Sequence, residues 1–286
     1  MGGAKGATLT PLSSRLAMAH VEQHAGEIDG VPVSWRSAPF DGVPTLYVHG
    51  VPNSSVMWTA FLERTGGIAV DLPGFGSSVK AGTFPYSLAA FDGFLEGFLD
   101  WIGVWRFNLV VHDWGAAALA FAQRAPARVE RLVVISALPL FDGYEWHRVA
   151  RIWRTPLLGE LWMGSLFPRT LRRALRHANA KPLPQSELDE IYRGMDFATQ
   201  RSILHLYRSV RSGTLAAAGK HLEEIDAPAL VVWGELDPYI PVRAATQYAH
   251  ALGGPVELEL LPDAGHWPWL DRPEVIDRVV DFVASA

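Results

Sequence analysis

The sequence predicts an α/β fold: a mostly parallel, twisted sheet flanked by helices, with a helical segment inserted late in the chain. Three observations predict it. Short apolar runs alternate with longer stretches of helical periodicity, the pattern of βαβ units. The apolar runs are continuous rather than alternating, as strands covered on both faces are. Between residues 139 and 222 the β-like runs stop, and helical spacing rich in tryptophan and arginine takes over. The expected organisation is therefore a core of residues 1–138 and 223–286 with a helical cap at 139–222.

Along the chain, TLYVHG (45–50), IAVDLPGFG (68–76), LVVHDWG (109–115), RLVVISA (131–137) and ALVVWGELD (229–237) read as buried strands that end in loops. VELELLPDAGH (256–266) reads as a sixth. FDGFLEGFLDWIG (91–103) and AAALAFAQRAP (116–126) have apolar residues at helical spacing. So do YEWHRVARIWRTPLLGELWMG, TLRRALRHA, SELDEIYRGM and TQRSILHLYRSV in the insertion. The cap is expected over the C-terminal edge of the sheet, where open α/β sheets bind ligands.

Composition narrows the function classes. At 286 residues, 49% hydrophobic and 19% charged, the chain can bury a substantial core. A net charge of −5 argues against nucleic acid. With no cysteine, disulfides and thiolate chemistry are excluded. The N-terminal stretch lacks the apolar run of a signal peptide, and nothing reaches membrane-spanning length. A cytoplasmic protein without a membrane partner is expected, with a homodimer left open.

The chemistry centres on Val111-His112-Asp113-Trp114-Gly115. A strand feeding a sharp turn into a helix holds one side chain up over the sheet edge, the nucleophile elbow. An aspartate there can also simply cap the helix. Two further residues favour the first reading. Asp237, in GELDPYIP, and His266, in AGHWPWLDRPE, each follow a predicted strand, in the chain order nucleophile, acid, histidine.

With HGVP (49–52), DLPGFGSS (71–78), VHDWGA (111–116), WGELDPYIP (233–241) and AGHWPWLDRPE (264–274), the chain resembles the α/β-hydrolase superfamily along nearly its whole length. The aspartate in HDWG narrows the resemblance to epoxide hydrolases and haloalkane dehalogenases. It implies a covalent alkyl ester on Asp113, hydrolysed by water that His266 activates and Asp237 orients. It also implies an oxyanion hole from the backbone N–H groups of Val51 and Trp114. No metal or organic cofactor is called for.

Epoxide and haloalkane need different donors. An opening epoxide needs a proton, which this family takes from cap tyrosines; SILHLYRSV (202–210) resembles that segment and puts Tyr207 at the tyrosine. Tyr207 precedes Asp237 by 30 residues, from 237 − 207, close to the family's usual separation. The stretch that resembles the other tyrosine's, RTPLLGELWMG, contains none. Tyr144 is preferred as the substitute, with Tyr192 and His147 as alternatives. A departing halide would instead use Trp114 and a cap tryptophan, Trp162 or Trp153. Val51 stands where some dehalogenases carry a halide-binding asparagine, and the end of RLVVISALP lacks their alternative acid, leaving Asp142 only a distant substitute. The expected function is therefore epoxide hydrolysis to a vicinal diol on a small apolar substrate, with hydrolytic dehalogenation or a turnover-less ligand-binding protein as alternatives.

His49, Pro52, Trp162 and Trp267 are expected to line the substrate pocket. Trp146, Trp153 and Trp269 suit packing better. The glycines and Pro73 of DLPGFGSS read as a tight loop. The arginines of RTLRRALRHA read as a solvated helix face, with a basic patch for an acidic partner as the other reading.

Overall fold

The computed structural model describes residues 19–78 and 84–285; the N-terminal stretch read for a leader lies almost wholly outside them. Eight strands form one sheet: β1 (Glu22–Ile28), β2 (Val31–Ala38), β3 (Thr45–Val48), β4 (Gly67–Val70), β5 (Phe107–Asp113), β6 (Val129–Ala137), β7 (Ala229–Gly234) and β8 (Val256–Leu261). Their order is β1-β2-β4-β3-β5-β6-β7-β8. The β1–β2 and β2–β4 pairs are antiparallel, and every pair from β4 through β8 is parallel.

β3, β4, β5 and β7 are buried at every residue, which is why their sequences read as unbroken apolar runs. β8 differs from expectation: it is half exposed because nothing pairs with its outer edge. The β1–β2 hairpin was not anticipated. It turns at Asp29-Gly30, both with positive φ (50° and 80°), the combination a tight two-residue hairpin requires.

Core helices are α1 (Thr59–Thr65), α2 (Leu88–Trp101) and α3 (Ala118–Arg124), with α10 (Arg243–Ala251), α11 (Pro268–Asp271) and α12 (Glu274–Ala284) after the insertion. α1 packs against α12 (Glu274–Ala284) and α2 against α3, while α10 (Arg243–Ala251) lies on β7 and β8. α2 starts one turn earlier than its apolar spacing suggests, because Ser87 caps it by accepting the Ala90 N–H at 3.2 Å. A single turn of tighter helix, Trp114–Ala117, separates β5 from α3.

Between β6 and β7 lie α4 (Arg148–Arg154), α5 (Leu158–Gly164), α6 (Pro168–Leu175), α7 (Gln185–Gly194), α8 (Phe197–Ser209) and α9 (Thr214–Ala218), with no strand. α8 buries Ile203, Leu204, Leu206 and Tyr207. It is tied to the core where Ser202 Oγ donates to Tyr86 Oη at 2.8 Å. Arg208, near its end, holds Glu160 of α5 through two hydrogen bonds of 2.7 and 2.9 Å.

Candidate active site

Asp113 ends β5 with φ 50° and ψ −120°, a conformation that a residue with a side chain adopts only under strain. Its side chain makes no capping hydrogen bond to the helix that follows, so the capping reading fails. Instead Oδ1 accepts the Val51 N–H at 2.8 Å, and the Trp114 N–H also bonds the carboxylate. The turn is close enough to the β3 loop that a Cβ on Gly50 would sit 2.3 Å from Asp113 Cβ. One on Gly115 would sit 2.2 Å from the Val48 carbonyl oxygen. Both glycines are therefore required by the close approach of two loops.

His266 stands on the loop after β8. Its Nδ1 is 2.8 Å from Asp237 Oδ2, and its Nε2 is 3.9 Å from Asp113 Oδ2. Asp237 Oδ1 is held in turn by the N–H groups of Tyr239 (2.8 Å) and Ile240 (3.0 Å). The three residues taken from three separate strand ends thus meet in one buried line, and Nδ1–H is the tautomer that the Asp237 contact selects. Burial works against the imidazolium, but the Asp237 charge and hydrogen bond, with Asp113 behind, outweigh it and raise the His266 pKa. Burial also pushes the Asp113 carboxyl up, opposed by His266 and by the two backbone donors.

A cavity of about 620 Å³ opens over Asp113. Val51, Pro52, Asp113, Tyr239, His266 and Trp267 form its floor, and His147, Trp153, Trp162, Leu171, Met195 and Tyr207 of the helical segment form its roof. Of the four residues expected to line the pocket, Pro52, Trp162 and Trp267 do so. His49 does not. It is fully buried beneath the loop, with Nδ1–H donating to the Gly50 carbonyl (2.8 Å) and Nε2 accepting the Leu72 N–H (3.0 Å). Both ring nitrogens are spent on backbone, so it shapes the loop that carries Val51.

Tyr207 is buried against Trp114, Trp146 and Trp153, with ring centroids 5.0, 5.3 and 4.9 Å away. Burial raises its pKa well above the usual tyrosine value, and the Asp113 charge adds to that. Its hydroxyl is the neighbour of the Trp114 indole N–H, although that N–H meets no partner at good hydrogen-bond geometry. Tyr144 packs on Trp146, and its hydroxyl donates to the Tyr239 carbonyl at 3.2 Å. It lies behind the cavity wall rather than in it. Tyr192 is exposed on α7, and Asp142 borders a separate surface hollow with Arg243. Trp153 proves to be a cavity residue. Trp269 is a core one, stacked on Trp58 and crossed by His112.

Tyr239, His112, Asn179 and Asp271 were not anticipated, whereas His147 was named as an alternative donor and does line the cavity. Tyr239, two residues past Asp237, lines the cavity with its ring 5.0 Å from His266 and 4.9 Å from His147. His147 accepts the Ala150 N–H on Nδ1 at 3.3 Å, which leaves the proton on Nε2. Burial pushes its pKa down to about 4, so the ring is neutral at pH 7. His112 Nε2–H donates to the His266 carbonyl at 2.8 Å and so fixes the histidine loop from below. From above, Asn179 exchanges two bonds with the Trp267 backbone. Asp271 accepts from Gly265, Ala180 and Lys181 N–H groups at 2.8–3.0 Å. These side chains tie residues 178–181 to the loop bearing His266. A buried aspartate in a surface-looking motif, LDRPE, was their one sequence trace.

The alpha/beta hydrolase fold family model matches residues 44–273, a span holding every residue of this site. The chain belongs to that family. Among its α/β-hydrolase relatives is a haloalkane dehalogenase of Mesorhizobium japonicum, 27% identical over 278 residues, with 87% of this chain and 86% of the relative covered. Another is epoxide hydrolase 3 of Xenopus tropicalis, 24% identical over 262 residues, with 83% and 70% covered. The crystal structure of the haloalkane dehalogenase DbeA from Bradyrhizobium elkani superposes with a TM-score of 0.78 over 93% of this chain and 98% of that one, at 24% identity.

Proposed function

We propose that this α/β-hydrolase opens apolar epoxides to vicinal diols, with 139–222 acting as its cap. The observation that carries the reading is the Tyr207 hydroxyl. Tyr207 lines the same apolar cavity as Asp113, and its hydroxyl neighbours the Trp114 indole N–H. Asp113 Oδ1 is engaged by Val51, so Oδ2 attacks an oxirane carbon. The C–O bond breaks, its electron pair stays on the ring oxygen, and Tyr207 donates to the alkoxide. Burial raises the Tyr207 pKa, so its hydroxyl holds its proton in the resting site and has it to give.

The second half returns the enzyme. His266 Nε2 takes a proton from water, and the hydroxide adds to Cγ of the ester. The Val51 and Trp114 N–H groups receive the oxyanion that forms. Collapse breaks the bond from Cγ to the alkyl oxygen, which leaves as the diol with the proton carried in by the hydroxide, and the proton held on His266 returns through solvent to Tyr207.

One observation favours the alternative, hydrolytic dehalogenation. The buried indole N–H groups of Trp114, Trp153 and Trp267 have no hydrogen-bond partner among the described residues, and two of them line the cavity. The test is turnover on terminal and aryl epoxides against 1-chloro-, 1-bromo- and 1-iodoalkanes, with Asp113→Ala and Tyr207→Phe in parallel. Diol formation abolished by the first and cut roughly 100-fold or more by the second is expected, the range of a lost general acid. Halide release indifferent to Tyr207→Phe would transfer the function to the tryptophans.

A further inference from the structure

The outer side of α5 and α6 is unlike the rest of the surface. Leu157, Leu158 and Leu161, at helix positions i, i+1 and i+4, are 77, 54 and 71% exposed, and Phe167 at the head of α6 is 62% exposed. α6 itself buries Leu171 and turns Leu171, Ala174 and Leu175 to the cavity. Its other positions, at i, i+3, i+4 and i+7, are Arg169, Arg172, Arg173 and Arg176, all exposed and without an ion pair among the described residues. Thr170 Oγ1 accepts the Phe167 N–H at 2.7 Å and bonds the Ser165 carbonyl at 2.6 Å, fastening the apolar turn to the arginine helix.

Charge is as uneven as hydrophobicity. Residues 148–177 contain seven arginines and one acid, Glu160, in a chain whose net charge is −5. Glu160 is already paired with Arg208. Neighbouring large apolar side chains left in water, beside an uncompensated cationic helix, match the chemistry of an anionic bilayer surface: acyl chains for the leucines and phenylalanine, headgroup phosphates for the arginines. We propose that this face of the cap docks on anionic membranes. Among the described residues no helix is long and apolar enough to cross a membrane, so the association is peripheral. The sequence expectation of no membrane partner weighed spanning segments alone. The other faces of the same helices line the cavity, so docking sets one helical layer between the bilayer and Asp113, a short path for an apolar substrate dissolved in lipid. The proposal does not depend on which reaction the cavity performs.

The experiment is flotation of the full chain with phosphatidylcholine vesicles and with vesicles a quarter phosphatidylglycerol, at low salt and at about 0.5 M salt, where screening shortens to about 4 Å. Flotation with the anionic vesicles only, and its loss in high salt, are expected. An arginine near such a surface is worth about fivefold in partitioning, so R172Q/R173Q should float about 25-fold less. L161S/F167S should also detach. Neither pair touches the cavity, and thermal melting checks that each variant folds. Absence of flotation with anionic vesicles, or equal flotation with both vesicle types, overturns the proposal. So does a stable dimer in light scattering that L161S/F167S dissolves, since a second copy would then own this face.

Discussion

Asp237→Asn separates the two halves of the proposed reaction. Asp237 Oδ1 accepts two backbone N–H groups, from Tyr239 and Ile240, while Oδ2 faces His266 Nδ1. An asparagine must keep its carbonyl oxygen in the first position, because turning the amide around would set its NH2 against two N–H donors. That reversal forfeits two hydrogen bonds, about 1 kcal/mol each, and adds the cost of opposed donors. The amide nitrogen is therefore forced toward Nδ1, which must become an acceptor. The imidazole proton moves to Nε2, and the nitrogen that should take a proton from water already carries one.

Wrong-tautomer substitutions of this kind cost about 10⁴ in rate in a Ser-His-Asp triad, roughly 5 kcal/mol of barrier. Alkylation of Asp113 needs no base. The variant should then form its alkyl ester within about tenfold of the wild-type rate and stall there, while steady-state diol formation falls about 10³–10⁴-fold. Intact-protein mass spectrometry after rapid quench should show one epoxide mass added per chain, and stopped turnover should follow a one-equivalent burst. Steady-state turnover within tenfold of wild type, or loss of the ester together with turnover, would refute the assignment of Asp237 and His266 to ester hydrolysis.

Tyr239→Phe and Tyr144→Phe should part company. Tyr239 lines the cavity beside Asp113, so kcat for epoxide opening should fall at least about tenfold. Tyr144 gives its hydroxyl to a backbone carbonyl, so its loss should cost about 1 kcal/mol in stability, read as melting temperature, with kcat nearly kept. Equal effects on kcat would place Tyr144 back at the reacting atoms. Acid should destabilise the protein. His112 and His147 have pKa values lowered by burial, so the unfolded chain binds more protons than the native one as pH falls below about 6.5. For His147 the loss runs from about 6.5 down to about 4, while His266, raised, acts in the opposite sense. His147→Asn keeps a capping acceptor for Ala150 and removes one titrating ring. The slope of unfolding free energy against pH between 5 and 6 should drop by about 1.4 kcal/mol per pH unit. An unchanged slope would rule His147 out as a buried neutral ring.

What could be read from the sequence divides along a physical line. Asp113 and Asp237 stood out because each closes a strand buried on both faces, which announces itself as an unbroken apolar run, whereas His266 follows the half-exposed β8 and stood out by its place after the last strand. The helical insertion was legible as a change of period. β1 was not, because an edge strand keeps polar residues on its open side. Its Asp29-Gly30 turn was the available signal and was passed over. His49 was misread as a pocket residue because adjacency to a functional loop was taken for exposure. The backbone spends both its ring nitrogens.

Tyr239, Asn179 and Asp271 show the deeper limit. Their parts are set by contacts between segments far apart in the chain, such as 178–181 against 264–271, and no local pattern encodes such pairings. Yet these contacts connect the helical insertion to the loop bearing His266. Asp271 satisfies one N–H beside His266 and two in the cap, and a Cβ on Gly265 would lie 2.4 Å from the Ala178 carbonyl oxygen. The histidine therefore cannot shift without disturbing the turn at residues 178–181 above it, and that turn cannot lift without freeing buried donors at the histidine. On the α5–α6 side, where the arginines and exposed leucines lie, no such clamp to the core is made among the described residues.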